Sequence, residues 1–186
     1  MVNIDPDGYY MQEWTLIEHI GTHVDAPGHF IEGGRLATEL EPSELIVEAV
    51  VVDISRRAAH DPDTVVTVDD LRAFERRHGR IPHDSAVLMD SGWGAKIDDA
   101  EAYRGADADG VLHFPGFGAE ATEWLLRRRG IRALGVDTLS IDPGGLGGVR
   151  DPPDPPRGRP LRAGEPGQPG PPPPARVHHR RRPHPL

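Results

Sequence analysis

Residues 18–30, EHIGTHVDAPGHF, bring three imidazoles, His19, His23 and His29, and one carboxylate, Asp25, into a single short stretch. Imidazole nitrogen and carboxylate oxygen together form a borderline-hard donor set suited to Zn, Mn or Fe. All four residues have odd numbers, so wherever the backbone is extended their side chains leave the same face. Helical spacing would align His19 with His23, but Gly21, β-branched Val24 and Pro27 disfavour a helix. A strand running into an irregular loop is expected instead, with Gly21, Pro27 and Gly28 setting its path and letting the backbone approach an ion closely. A single histidine is ordinarily a surface or packing residue; three on one parity with an aspartate are what set this stretch apart. Other chemistries have no comparable signal. There is no cysteine, which excludes disulfides, thiolate metal sites and cysteine nucleophiles. Neither a G-x-S-x-G elbow nor a phosphate-cradling glycine loop ahead of a helix occurs in the first 143 residues.

The elements that must position these side chains can be read around them. Residues 9–18 alternate loosely about Trp14, Leu16 and Ile17 and are expected to be the strand that delivers the motif. Residues 32–35, with paired glycines, form a turn. Residues 46–54, IVEAVVVDI, are β-branched and apolar on both faces, which predicts a central strand. Thr67 with Asp70 resembles a capping box for a helix over 68–78, whose Val68, Leu71 and Phe74 face inward and which Gly79 stops. A further strand, 85–90, ends at Ser91, Gly92, Trp93 and Gly94, where Trp93 either covers a flat substrate or caps the core. Residues 96–109 are polar and read as a surface excursion or lid. In HFPGF, 113–117, His113 either faces a pocket or is a packed or solvated residue. Residues 119–129 form a helix with Ala121, Trp124, Leu125 and Leu126 on its apolar side, and Arg127, Arg128 and Arg129 suit the negative end of its dipole. A strand over 131–136 leads into DTLSID, where Asp137 and Asp142 are read as loop-fixing acceptors rather than a catalytic pair. Alternating strand and helix signals give an α/β class, a mixed β-sheet with at least two flanking helices.

The pattern H-x-G-T-H-x-D-x-P-x-H-F, filled at every fixed position from His19 to Phe30, resembles that of the metal-dependent cyclase family, which includes bacterial kynurenine formamidases and isatin hydrolases. GYYMQEWTLIE before it, and DSGW, HFPGF and GVDTLSID after it, extend the likeness to about Pro143. The resemblance implies a swivelling β/β/α arrangement, with His19, His23 and Asp25 as ligands of a divalent metal, Zn or Mn, and His29 as the proton-transfer residue. Thr22 would orient a ligand or its loop, and Trp14, Phe30, Trp93 and His113 are candidates for the substrate pocket. The implied reaction is hydrolysis of a non-peptide C–N bond in a small-molecule amide, an aryl formamide such as N-formylkynurenine or a cyclic amide such as isatin. A dimer that completes the pocket is implied too. Relatives are expected to carry another strand and loop ahead of residue 9, so the amino end reads as shortened.

The net charge of -9 hides an asymmetry. Residues 150–186 hold eight Arg against three acids, which leaves 13 basic and 27 acidic residues for 1–149. An acidic body argues against nucleic acid as a partner. No apolar run reaches the length of a membrane span and no basic-then-apolar leader precedes the motif, so a soluble, cytoplasmic protein with one real core is expected.

Thirteen of the 20 prolines fall after Pro143, which divides the chain into a cyclase-like domain, 1–143, and a tail, 144–186. Taken literally the tail is disordered, Pro/Arg-rich and polyproline-like. It also reads as the product of a shifted frame. Read one nucleotide later, the codons of Glu165 before Pro166 and of Gln168 before Pro169 must each give Asn or Ser. Gly164 can give Glu and Pro152 can give His. With GC-rich third bases the stretch can become EFATHQTLLGADRYALENLANLDRLP, and 177–184 FTIVVAPI, similar to the family's continuation with the His and Glu that complete a two-metal site. His178, His179 and His184 as written do not take those places, so low or absent turnover is expected of this polypeptide. Two competing readings remain: a decayed cyclase-fold remnant acting at most as a binding protein, and a tail that is itself a partner-binding arm for nucleic acid or an SH3 domain.

Overall fold

The computed structural model describes residues 8–146 and 175–177. In chain order its regular elements are β1 (Val24–Asp25), β2 (Ala49–Asp53), α1 (Ser55–Ala58), β3 (Val65–Val66), α2 (Val68–His78), β4 (Ala86–Asp90), α3 (Ala100–Arg104), β5 (Gly116–Phe117), α4 (Ala119–Arg129), β6 (Ala133–Gly135) and β7 (Ala175–Val177). The main sheet runs β1-β7-β6-β4-β2, and β3 pairs with β5 in a separate ribbon. Pairing is parallel from β2 through β4 and β6 to β7, and antiparallel between β7 and β1, so the sheet is mixed. Asp25 sits opposite Arg176 in that last pair. Among the described residues, β1 therefore joins the sheet through β7.

Alternation along β4 shows how the sheet divides the interior. Val87 and Met89 enter a large core with Val52, Leu71, Phe117, Leu125 and Leu134, whereas Ala86 and Leu88 join Ala133 in a smaller cluster. Successive side chains of a strand leave opposite faces, so these are the two sides of one layer. Helices α2 and α4 supply Leu71, Ala121 and Leu125 to the large core. Both helices have the bounds their sequence signals predict. The Thr67 hydroxyl accepts from Asp70 N–H at 3.2 Å and the Asp70 carboxylate accepts from Thr67 N–H at 2.8 Å, a reciprocal cap that contributes about 1 kcal/mol. The ends of the two helices are tied by Arg129, which donates through Nε and Nη2 to the Glu75 carboxylate at 2.6 and 2.7 Å.

Three expectations need correction. Residues 9–18 form no strand, and the only strand of the motif is the two-residue β1. Tyr9, Leu16 and Ile17 are more than half exposed and Trp14 is 75% exposed, so no sheet face covers this segment among the described residues. Second, among the described residues β2 is an edge strand rather than a central one, and Val51 on it is 51% exposed because none of them covers its outward face. Third, the stretch after Trp93 is more ordered than a bare excursion: it holds α3 and a bridge between Ala106 and Leu112. Of the tail, the described part is a 3-10 turn, Gly144–Leu146, and β7; the remainder, with His178, His179 and His184, lies outside the described residues. Among the described residues no helix is long and apolar enough to cross a membrane.

Candidate metal centre

The motif folds as its glycines and proline dictate. Gly21 takes φ +64, the left-handed region, at the bend between His19 and His23. Its carbonyl accepts from His23 Nδ1 at 2.7 Å. A carbonyl can only accept, so His23 Nδ1 donates to it, and Nε2 is the nitrogen turned toward His19 and Asp25. Further on, Pro27 opens a 3-10 turn, Pro27–His29. The chain then doubles back, with Gly28 N–H donating to the Arg35 carbonyl and Gly34 N–H to the Ile31 carbonyl, both at 2.9 Å. A Cβ on Gly28 would stand 2.9 Å from the Gly34 oxygen, and one on Gly34 would stand 2.9 Å from Gly28 N. Only glycine lets these two backbones close the loop behind His29.

Three donor atoms converge in front of that loop. His19 Nδ1 lies 3.0 Å from Asp25 Oδ1, His23 Nε2 lies 2.9 Å from His19 Nδ1, and His23 Nε2 lies 3.2 Å from Asp25 Oδ1. Four ligands at about 2.1 Å around a tetrahedral ion are separated by roughly 3.4 Å, close to the edges of this triangle. Its chemistry points the same way. With Nδ1 of His23 committed to Gly21, the three corners are two imidazole nitrogens and a carboxylate oxygen, donor types that ligate a divalent cation. Asp25, which is 6% exposed, supplies the negative charge that draws a cation in. His29 belongs to the same cluster: ligand atoms of His19, Asp25 and His29 all lie within 4.8 Å of one another. Its ring stacks on His19 with centroids 4.6 Å apart, and Phe30 meets it edge-on at 4.4 Å. The donor set thus fits a divalent ion.

The remaining candidates are placed differently. Thr22 is exposed beside the cluster, as is Phe30. Trp14 stands out on the uncovered segment. Trp93 is 4% exposed and packs with Leu112, Phe114 and Tyr103, its indole N–H donating to the Tyr103 carbonyl at 2.7 Å. The loop carrying it is fixed by Asp137, whose carboxylate accepts from Ser91 Oγ at 2.6 Å, Ser91 N–H at 3.1 Å and Gly94 N–H at 3.3 Å. His113 lies between two carboxylates, with Nδ1 2.9 Å from Asp63 and Nε2 3.3 Å from Asp107.

The hydrogen bond to Asp63, reinforced by Asp107, raises the His113 pKa above its ordinary 6.5. Such a group stabilises the fold fully below its unfolded pKa, and the contribution is lost as pH rises through the raised folded value. Replacing His113 with Gln is therefore expected to lower the Tm below the ordinary histidine pKa of about 6.5, with the deficit shrinking as pH rises through the raised folded value. Thermal melts across that range check this; a constant offset at every pH would assign His113 a packing role only.

Sequence reasoning did not find Asp63 and Asp107 as partners of His113: Asp63 is 50 residues away and leaves no mark in spacing, and Asp107, six residues away, is brought round by the Ala106–Leu112 bridge. It also passed over Lys96, whose ammonium lies 3.1 Å from the Trp93 ring centroid. A signal for that contact existed: the two are three residues apart, which a 3-10 turn brings into line.

Comparison with known proteins places these observations. A family model described as "Putative cyclase" matches residues 2–143. An isatin hydrolase from Roseibium aggregatum is 36% identical over 154 residues, covering 80% of this chain and 58% of that protein. A kynurenine formamidase from Erythrobacter litoralis is 30% identical over 136 residues, covering 69% of this chain and 49% of that one. Among solved structures, isatin hydrolase A from Ralstonia solanacearum superimposes with a TM-score of 0.71 at 36% identity, over 77% of this chain and 57% of that chain. The chain thus spans about half the length of the curated relatives it matches.

Proposed function

The chain belongs to the cyclase family, and from that premise we propose that its motif is the metal centre of a hydrolase that cuts a non-peptide C–N bond in a small amide, such as isatin or N-formylkynurenine. The observation that carries this reading is the triangle of His19, His23 and Asp25 donor atoms with edges of 2.9 to 3.2 Å. A divalent ion, Zn or Mn, held by these three would supply Lewis acidity toward a carbonyl and lower the pKa of water toward neutrality. His23 presents Nε2 because Gly21 holds its other nitrogen, and Asp25 contributes the charge. His29, stacked on His19, takes the proton of the attacking water at a ring nitrogen and returns it to the leaving nitrogen, a two-way transfer that a ring with two nitrogens can make. Phe30, edge-on to His29, offers an aromatic edge to a ring-bearing substrate. Thr22 steadies the turn between His19 and His23.

For the polypeptide as written we propose low turnover, since the family resemblance puts a further His and Glu beyond residue 143 and the unshifted tail has neither in place. A non-catalytic remnant is the competing reading, and the 58% and 49% coverage of the two relatives favours testing both together. Metal content and turnover of isatin and N-formylkynurenine are to be measured on this chain and on a version with the tail read one nucleotide later. The expected result is metal in both and at least about 100-fold faster turnover in the second. Equal rates in the two would end the frame proposal, and metal in neither would end the hydrolase reading.

We also place the active form as a cytoplasmic homodimer. Among the described residues the apolar side chains of Tyr9, Trp14, Leu16, Ile17 and Ile20 are more than half exposed, which supports a second copy packing over them. Sedimentation is expected to give twice the chain mass, and Trp14→Glu to give a monomer.

A further inference from the structure

The facing ends of α2 and α4 form a shallow, open groove lined by Arg72, Glu75, Arg76, Arg80 and Arg129. Its one acid is already engaged: Glu75 accepts from Arg129 through both carboxylate oxygens and from Ile81 N–H at 2.9 Å. Arg72, Arg76 and Arg80 are exposed and keep their charge for the groove. Arg72 approaches Asp69 only at 3.4 Å, through a carboxylate that is 90% exposed, and such a pair holds little. Arg80 reaches the Arg128 carbonyl at 3.4 Å and adds its field to that of Arg129 at the Glu75 carboxylate, which one carboxylate cannot balance for both.

Helix dipoles account for part of this charge but not all of it. The last turns of α2 and α4 carry Arg76, Arg77, Arg127, Arg128 and Arg129. Two helix ends present roughly one negative charge between them. Arg127 and Arg129 already have glutamate partners, so Arg76, Arg77 and Arg128 exceed that demand even before Arg72 and Arg80 are added. Of these, Arg72, Arg76 and Arg80 line the groove, on a body where residues 1–149 carry 27 acids against 13 bases.

We propose that the groove between α2 and α4 docks an extended acidic polypeptide segment, with its carboxylates on Arg72, Arg76 and Arg80. Guanidinium groups take carboxylates in bidentate fashion. Arg72 and Arg76 stand one helical turn apart, about 6 Å, close to the roughly 7 Å between alternate side chains of an extended peptide. Nucleic acid fits less well. A long phosphate chain leaving the groove would run over the acidic body, and the Trp124 ring, where a base would stack, has the Arg129 guanidinium over it at 4.0 Å.

The test is a fluorescence-anisotropy titration of the full chain with a labelled peptide of alternating Glu and Ser. Saturable binding that weakens as salt rises is expected. The combined variant Arg72→Glu, Arg76→Glu, Arg80→Glu is expected to lose about tenfold or more, and Arg104→Glu, on α3, to bind as wild type. All three groove arginines are exposed, so melts of the variant should match wild type; should they not, the neutral Arg76→Gln, Arg80→Gln pair carries the comparison with a smaller loss. The proposal fails if the Glu-Ser peptide binds no better than a Lys-Ser counterpart. It fails equally if charge reversal or neutralisation leaves affinity unchanged, or if tripolyphosphate or a single-stranded oligonucleotide displaces the peptide at lower concentration than unlabelled peptide does.

Discussion

Asp25→Ala is expected to weaken Zn or Mn binding by at least about 100-fold, since losing even a group that only supports a metal ligand typically costs 10- to 100-fold. Asp25 is the only anion in the donor triangle, and it is held within 3.0 Å of His19 and 3.2 Å of His23. Without it two imidazoles remain, with no charge to offset the ion's dehydration. The side chain is 6% exposed, so a cavity at this position could also loosen β1. Asp25→Asn separates the two effects: it keeps the volume and removes the charge, and it should lose metal while melting near wild type. Calorimetric titration with each ion and metal content after dialysis are the measurements. Unchanged affinity in both variants would mean that this cluster is not the metal centre.

The second large effect is on turnover. His29→Ala is expected to keep the metal and to slow hydrolysis by about 100- to 10,000-fold, the span typical of a lost acid–base group; the frame-restored chain is the one on which to measure it. The geometry makes this experiment informative, because His29 lies within 4.8 Å of the His19 and Asp25 donor atoms and stacks on His19. A residue so placed is near enough to move a proton to water or to bind the ion itself. Retained metal with lost rate identifies the proton carrier. Lost metal identifies a ligand and moves the acid–base role elsewhere.

Local rules carried the reading furthest where the determinants are near in the chain. Thr67 and Asp70 are three residues apart, and the helix they open has the bounds that its cap and Gly79 imply. The same holds for Ala119–Arg129, which Gly130 ends in the left-handed region at φ +62. Asp137 was legible as a loop-fixing acceptor from its turn-rich surroundings, although which loop it fixes was not: Ser91 and Gly94 lie more than 40 residues away. Strands were read less well. The apolar run at 46–54 is hydrophobic on both faces, yet β2 is an edge, because a strand's place in a sheet depends on which partners form and not on its own composition. Residues 9–18 alternate as a strand would, yet only Met11 takes part in a β-bridge and no strand forms, for the same reason.

Residue types, parity and the HIGTHVDAPGHF pattern were enough to name the ligand candidates and the family, since a cation's demand for nitrogen and oxygen donors is met by side-chain identity and close spacing. What the chain alone could not supply is the direction of each donor. The Gly21 carbonyl decides which nitrogen of His23 faces Asp25, the Gly28–Gly34 contact decides where His29 points, and packing decides that Trp93 lies inside and His113 is shared between Asp63 and Asp107. Some of these contacts are as short as Gly21 to His23 and others as long as Asp63 to His113, but each depends on backbone direction and packing that exist only once the chain has folded.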